Sequence, residues 1–424
     1  MRTASHLFVS AAMAPARMAL AANELSFLPM PIPAELGRFP GALVDLSEHL
    51  TRKYPAPAFG IESTAIAGEA VVVSQESVSE TPFSSLIRFN RDFAPGQERH
   101  DPKVLIVSAL SGHHATLHRP TIEELLPNAD VHLLAWKDAR YIPTSDGRFG
   151  MDEYIDQVAA AIKTMGVEDT HVVAICQPTV PVSAALARLA EDAPLEQPLS
   201  LTLISGPVDT RVNAEMSGIN DFAKNDIDDL CRKLIGKVPN NYPGAGRLAY
   251  FGEVQQMAFY AMDPMRHIKS YGKMFLAQVM GNADKAAKIS DFYEEYNAML
   301  SMAAEYWRET VTVVFQEQQL AQGTMLHHGR PLRMDAINTH LLTVEGGKDE
   351  FCPPGQTRAA HDIFSGLTAE QRAELLVEDA GHYGTWAGSS FRNEVAPRMR
   401  KFFELAGASR GIAYDTPTLP TITP

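Results

Sequence analysis

The stretch HVVAICQPTVPVSAALARLA, residues 171–190, reads as a strand, a sharp turn and a helix, with Cys176 at the turn. The run HVVAIC is continuously apolar after its first residue, as a parallel strand buried on both faces requires. A nucleophile elbow needs this order of elements: a strand, a tight turn that holds the nucleophile in a strained conformation, and a helix whose first free N–H groups face the developing charge. The usual G-x-S-x-G is here Ala174-Ile175-Cys176-Gln177-Pro178. Proline is tolerated in a first helical turn, where its missing N–H had no partner. The backbone N–H of Gln177 is therefore expected to serve as one oxyanion donor.

Outward from the elbow the same pattern repeats. KVLIVSALSG (103–112), VHLLAW (131–136), LTLIS (201–205), HLLTVEG (340–346) and AELLVEDAG (373–381) are apolar runs of parallel-strand type. Helical segments separate most of them, such as MDEYIDQVAAAIKTMG (151–166), apolar at three- and four-residue spacing and closed by Gly166. Upstream, EAVVVSQESV (69–78) and SLIRFNRDF (85–93) alternate as antiparallel edge strands do. The pattern predicts an α/β fold with a mostly parallel sheet and helices on both faces, and the elbow at Cys176 is the device that α/β-hydrolases use at such a strand end. The rhythm breaks between residues 210 and 335, which read as an inserted, mostly helical cap. The expected organisation is an N-terminal extension (1–60), a first core segment (61–209), the cap (210–335), a second core segment (336–410) and a disordered, Thr/Pro-rich tail (411–424).

An elbow needs an acid and a base, which in this fold follow the nucleophile from the ends of later strands. Asp349 stands just past the strand LLTVEG, and His382 follows LLVEDAG. With Asp349 fixing its tautomer, His382 would draw the proton from the Cys176 thiol, and the thiolate is the form that attacks. Glu350 and Asp379 remain alternative acids. A second oxyanion donor is expected from SALSGHH (108–114), with Ser111 as its representative. Each residue also has a plainer reading: a cysteine ending a buried strand is often an inert core residue, and Asp349 can be a turn residue. GASRG (407–411) matches G-x-S-x-G around Ser409, but it follows a helix and reads as a helix end. His113, His114 and His118 lack a second ligand group at fixed spacing, so no metal is expected. Tyr293, Tyr296, Tyr306, Trp307 and Phe315 read mainly as cap packing, with some lining a substrate cleft.

Composition narrows the function classes. The 424 residues are 45% hydrophobic and 21% charged, without an apolar run of membrane-spanning length. The net charge of −14, without a dense basic cluster, argues against nucleic acid as a partner. Cys176, Cys231 and Cys352 form no CxxC pair, and their odd number suits a reducing compartment or a reactive thiol better than a disulfide framework. A cytoplasmic location is expected, although residues 1–27 loosely imitate a secretory signal interrupted by Pro15 and Arg17.

The chain resembles the intracellular poly(3-hydroxybutyrate) depolymerases, cysteine-dependent relatives of lipase-type α/β-hydrolases. The resemblance is carried by PAFGI (57–61), SGHHATLHRPTIEELLPNADVHLLAWKDAR (111–140), AICQPTVP (174–181), VFQEQQLAQGTM (314–325), TVEGGKD (343–349), GQTRAAHD (355–362) and GHYGTWAG (381–388). CQPxVP is its specific part. It implies Cys176, Asp349 and His382 as nucleophile, acid and base. It also implies a polyhydroxyalkanoate granule as substrate surface in the cytoplasm, no cofactor, and a thioester intermediate from which coenzyme A is a possible acyl acceptor. The acid loop GGKDEFCPPGQT departs from the resemblance after Asp349, where Cys352 and two prolines stand. Polyester synthases, whose elbow resembles G-x-C-x-G, small-ester hydrolases and granule-coating proteins are the rival readings.

Overall fold

A computed structural model describes residues 34–52, 54–262 and 264–415; the signal-like segment and the end of the tail lie outside the described residues. Nine strands form the main sheet: β1 (Ser63–Ile66), β2 (Glu69–Glu80), β3 (Ser84–Asp92), β4 (Lys103–Val107), β5 (Asp130–Trp136), β6 (Thr170–Ile175), β7 (Ser200–Ile204), β8 (His340–Gly346) and β9 (Arg372–Val377). Their spatial order is β1-β2-β3-β5-β4-β6-β7-β8-β9. The pairs from β1 to β3 and the β3–β5 pair are antiparallel, and the remaining pairs are parallel. The chain therefore has the expected α/β-hydrolase fold, with the alternating segments at the antiparallel edge and the continuous apolar runs inside.

Period-two geometry divides each inner strand between two cores. Leu105, Val107, Val172, Ala174, Leu201 and Leu203 face a layer built by the helices Met151–Met165 and Thr179–Asp192. Val104, Ile106, Val173, Ile175 and Ile204 face the opposite layer, which includes Ile122 and Leu125 from one helix and Met399, Phe402 and Phe403 from another. A strand covered on both sides has no polar face to show, which is why these runs read as unbroken apolar sequence.

The chain divides into two compact units: the described residues up to Pro57 with Gln255–Met299, and Ala58–Val254 with Leu300 onward. The segment expected as a cap, 210–335, is thus divided between them. Its part in the sheet-bearing unit is not only helical. Ile235–Lys237, Leu248–Tyr250 and Met302–Ala303 form a small antiparallel sheet, and Thr310–Gln316 is a π-helix. Strands of two or three residues leave no periodicity to read. In the other unit, residues 34–51 form a helix containing Pro40 where an irregular extension was expected. Phe39 meets Phe275 edge-on at 5.2 Å, and Tyr271 stacks on Tyr293 at 4.1 Å. Pro40 removes one helical donor and hid the segment from a propensity reading.

The first residues of the expected tail are held in place. The Tyr414 hydroxyl lies 2.8 Å from Nε2 of His171, whose Nδ1 lies 2.8 Å from Ser200 Oγ. Burial pushes the His171 imidazole down to about 3. Because the unfolded chain takes up this proton near pH 6.5 and the folded chain does not, stability is full above that value and falls as pH drops toward 3. Between pH 7 and pH 5 this one group should cost about 2 kcal/mol. Urea unfolding at both pH values should show a smaller acid loss in His171→Gln than in the parent; an equal loss would place the titration elsewhere.

Candidate active site

Strand β6 ends at Ile175, and the next residue takes φ = 68°, a left-handed conformation that a residue with a side chain adopts only under constraint. The constraint is local. The Cys176 amide donates to Ile204 O at 2.8 Å, extending the ladder to β7, while its carbonyl accepts from Thr179 Oγ1 at 2.9 Å. The helix Thr179–Asp192 begins at once, with Pro178 as its N-cap residue. The turn presents Cys176, which is half-buried, beyond the strand end. The strained turn predicted from AICQP is present.

The loops after β8 and β9 bring together Asp349 and His382, the residues expected as acid and base. His382 Nδ1 lies 2.8 Å from Asp349 Oδ2, with both residues buried. Asp349 Oδ1 accepts from the amides of Phe351 at 2.8 Å and Cys352 at 2.9 Å, which fixes the carboxylate plane. With Nδ1 committed to Asp349, the other ring nitrogen of His382 is the one hydrogen-bonded to Cys176. Glu350 is exposed, and Asp379 is an exposed partner of Lys348 at 2.6 Å. Neither occupies the position on the imidazole that Asp349 takes.

Cys352 also reaches Cys176, through a side-chain hydrogen bond. Together these contacts polarise the site. The bond from Cys352, opposed by burial and joined by the charge of His382, holds the Cys176 thiol well below the ordinary thiol range. Burial opposes protonation of His382, but Asp349 and then Cys176 hold it well above the ordinary imidazole range. Cys352 is pushed up, first by its bond to Cys176 and then by burial, and so keeps its proton. All three shifts act in the sense of a charged Cys176–His382 pair beside a neutral Cys352 thiol.

The Gln177 side chain, next in sequence to Cys176, is held at both ends of its amide. Its Oε1 accepts from the Leu110 amide at 3.2 Å, and its Nε2 donates to the Tyr306 hydroxyl. Tyr306 stacks on Tyr154 with ring centroids 5.0 Å apart, and burial drives its phenol upward. Ser111 is half-buried in the loop after β4, next to Gly112, whose carbonyl accepts from the Leu300 amide at 2.6 Å. Of the other aromatic residues singled out from sequence, Tyr293, Tyr296 and Trp307 are buried, and Phe315 packs against the main core.

Sequence reasoning missed three participants. Cys352 looked like a loop irregularity, and Tyr306 like core packing. Glu345, on β8, uses a buried carboxylate to take the amides of Gly355, Thr357 and Arg358 at 2.8–2.9 Å, closing the acid loop. No linear motif announces contacts of this kind.

Among the described residues, the one group arranged closely enough for a metal is Asp156, His327 and His328, rather than His113, His114 and His118. His327 Nδ1 accepts from Arg188 Nε at 3.3 Å, so its proton sits on Nε2, facing Asp156 at 3.0 Å. That tautomer makes a hydrogen-bonded clip rather than a ligand set. Ser409 Oγ donates to Ala406 O at 2.7 Å at the end of the helix Ala396–Ala408, as expected of a helix terminus. Among the described residues, no helix is long and apolar enough to cross a membrane.

Residues 205–406 match the family model described as PHB de-polymerase C-terminus, a span that contains Asp349 and His382 and begins downstream of Cys176. A poly(3-hydroxyalkanoate) polymerase subunit of Haloferax mediterranei is 21% identical over 378 residues, covering 83% of this chain and 70% of the relative. Solved structures similar to the chain include a monoacylglycerol lipase of Paleococcus ferrophilus, at TM-score 0.42 and 13% identity, covering 72% of this chain and 96% of the lipase. A thermophilic esterase of Thermogutta terrifontis aligns at TM-score 0.35 and 12% identity, covering 82% and 97%. By its sheet the chain has the α/β-hydrolase fold; in sequence it is similar to a PHB de-polymerase model over residues 205–406 and to a polyhydroxyalkanoate polymerase subunit over most of its length.

Proposed function

We propose that this chain hydrolyses ester bonds of poly(3-hydroxybutyrate) and related short-chain polyhydroxyalkanoates through a thioester on Cys176. The observation that carries the chemistry is the buried Asp349–His382 pair, 2.8 Å apart, set on a cysteine held at φ = 68° at a strand end. The family match over residues 205–406 supports the substrate class, as does the resemblance of the AICQPTVP elbow.

The thiolate of Cys176 attacks the ester carbonyl carbon, and the resulting oxyanion is received by the Gln177 amide and the loop carrying Ser111. As the carbon–oxygen bond breaks, the His382 imidazolium gives its proton to the departing hydroxyl. Neutral His382 then takes a proton from water, which attacks the thioester, releases the 3-hydroxyacyl carboxylate and restores the thiolate beside an imidazolium. A thiol in place of water, such as that of coenzyme A, would be acylated instead of producing a free acid. The polymerase relative favours a second reading, in which the same thioester grows polymer from acyl-coenzyme A. The Ala174-Ile175-Cys176-Gln177-Pro178 elbow, unlike the G-x-C-x-G that synthases resemble, weighs toward cleavage. The enzyme would act at the surface of cytoplasmic granules.

Two measurements test this reading. Amorphous poly(3-hydroxybutyrate) granules incubated with the parent should release 3-hydroxybutyrate or its oligomers, while Cys176→Ala should lose about a thousandfold or more of that rate. Equal release by both would refute the cysteine mechanism, and polymer growth from 3-hydroxybutyryl-coenzyme A without release would favour the polymerase. The second measurement is alkylation of Cys176 by iodoacetamide as a function of pH, read by peptide mass spectrometry. Because the folded thiol titrates below its ordinary value of about 8.5, reactivity should persist well into the acidic side of that value. The acid limb should move to higher pH in Cys352→Ala and in His382→Ala, and a parent curve that follows an ordinary thiol would contradict the ion pair.

A further inference from the structure

We propose that Cys176 and Cys352 form a reversible oxidation site, in which Cys352 traps the oxidised nucleophile as an intramolecular disulfide. The inference rests on the reading of Cys176 as nucleophile for its effect on activity, but the disulfide itself does not depend on that reading. The two thiols are 176 positions apart in sequence, yet the Cys352 amide donates at 2.9 Å to the same Asp349 carboxylate that holds His382 at 2.8 Å, and the Cys352 side chain is hydrogen-bonded to Cys176. Both are free thiols in the structure. They differ in access and in charge. Cys176 is half-buried at the elbow and its thiol is held below the ordinary range, whereas Cys352 is 3% exposed and its thiol is pushed above it. An oxidant from solvent therefore meets the nucleophilic sulfur first, with the second sulfur behind it.

The chemistry balances with a peroxide as oxidant. The Cys176 thiolate attacks one oxygen of hydrogen peroxide; the O–O bond breaks, and the departing hydroxide takes a proton and leaves as water. Cys176 becomes a sulfenic acid. The Cys352 sulfur then attacks the Cys176 sulfur. The S–O bond breaks, and the Cys352 proton leaves with the hydroxyl as a second water. Two thiols are oxidised by two electrons, and one peroxide is reduced to two waters. A dithiol reductant returns the two electrons and two protons by thiol–disulfide exchange.

Position makes the disulfide a switch. The Cys352 amide holds Asp349 Oδ1 at 2.9 Å, so a bond from Cys352 to Cys176 would engage the acid loop and the nucleophile in one step. It would also spare the nucleophile from the irreversible sulfinic and sulfonic states. Cys231, the remaining cysteine, lies 3.9 Å from Arg308 Nη1 and takes no part.

The test uses the full chain carrying Cys231→Ser, with and without Cys352→Ser, treated with hydrogen peroxide and then dithiothreitol. Each protein is compared with its own untreated activity on granules and mapped by mass spectrometry. With both thiols present, a Cys176–Cys352 cross-linked peptide should form, activity should fall by about tenfold or more, and reductant should restore most of it. Without Cys352, the loss should become largely irreversible as Cys176 sulfinic and sulfonic acid accumulate. Absence of the cross-link, or over-oxidation of Cys176 equally fast with and without Cys352, would overturn the proposal. A cross-link that forms while activity stays constant would uphold the oxidation site and instead refute Cys176 as the nucleophile.

Discussion

The 2.8 Å hydrogen bond between His382 and Asp349 depends on two loops leaving neighbouring parallel strands in backbone contact. Gly347 N donates to Val377 O, and Lys348 N donates to Ala380 O, both at 2.9 Å. At Gly346 a Cβ would stand 2.7 Å from Ala380 O, and at Gly347 one would press closer still on Glu378 O. The Gly-Gly pair before Lys348-Asp349 is therefore a requirement of approach. Any side chain there would push the acid loop off the histidine loop, and the imidazole would lose the carboxylate that keeps its charge. Glu345 closes the same loop from the other end by gathering three backbone amides. Thr385 secures the histidine side, donating to His382 O at 2.7 Å and pairing with Ser205 Oγ at 2.9 Å.

The elbow is the other fixed point, and it stores strain. A non-glycine residue in the left-handed region costs on the order of 1 kcal/mol. The strand ladder continued by Cys176 N, the Thr179 side chain and the immediate start of a buried helix hold it there. Strain at one residue is tolerable because β4, β6 and β7 are covered on both faces and lie between two cores, so the strand end has nowhere to relax. Rigid placement of a nucleophile is what lets one hydrogen-bond network orient it.

Much of this was legible because sheet-buried strands have a simple signature. The runs at 103–107, 131–136 and 171–175 leave no polar face, and the residues just past their ends are where an α/β sheet gathers its chemistry. Chain order alone pointed to Cys176, Asp349 and His382 as a candidate set, and the structure brings His382 and Asp349 to 2.8 Å. The contacts that tune them could not be read that way. The approach of Cys352 to Cys176 arises from how two distant loops fold, and the Gln177–Tyr306 bond from a helix about 130 residues away. The small sheet of Ile235–Lys237, Leu248–Tyr250 and Met302–Ala303 is built from pieces too short to carry a period. The helix Ala34–Thr51 was hidden by Pro40 and its Pro-rich flanks, because tertiary packing overrode local propensity.

Beside the pair stands a further imidazole, and its state matters as much as that of His382. Burial, then His113 and His382, push His118 down to about 3, so at neutral pH it is uncharged. Its ring meets Trp386 edge-on at 5.1 Å, and Trp386 follows His382 on the same loop. Were His118 cationic, it would repel the proton on His382 and disfavour the imidazolium that Asp349 and Cys176 favour. Holding it neutral leaves His382 as the imidazole that carries charge, with Asp349 on one ring nitrogen and Cys176 on the other. Desolvation thus acts in opposite senses on two neighbouring histidines. It wins at His118, where like charges add to it, and loses at His382, where a buried carboxylate and a thiolate outweigh it. That separation of two chemically identical groups leaves one imidazole, not two, favoured as a cation beside the thiol at the end of β6.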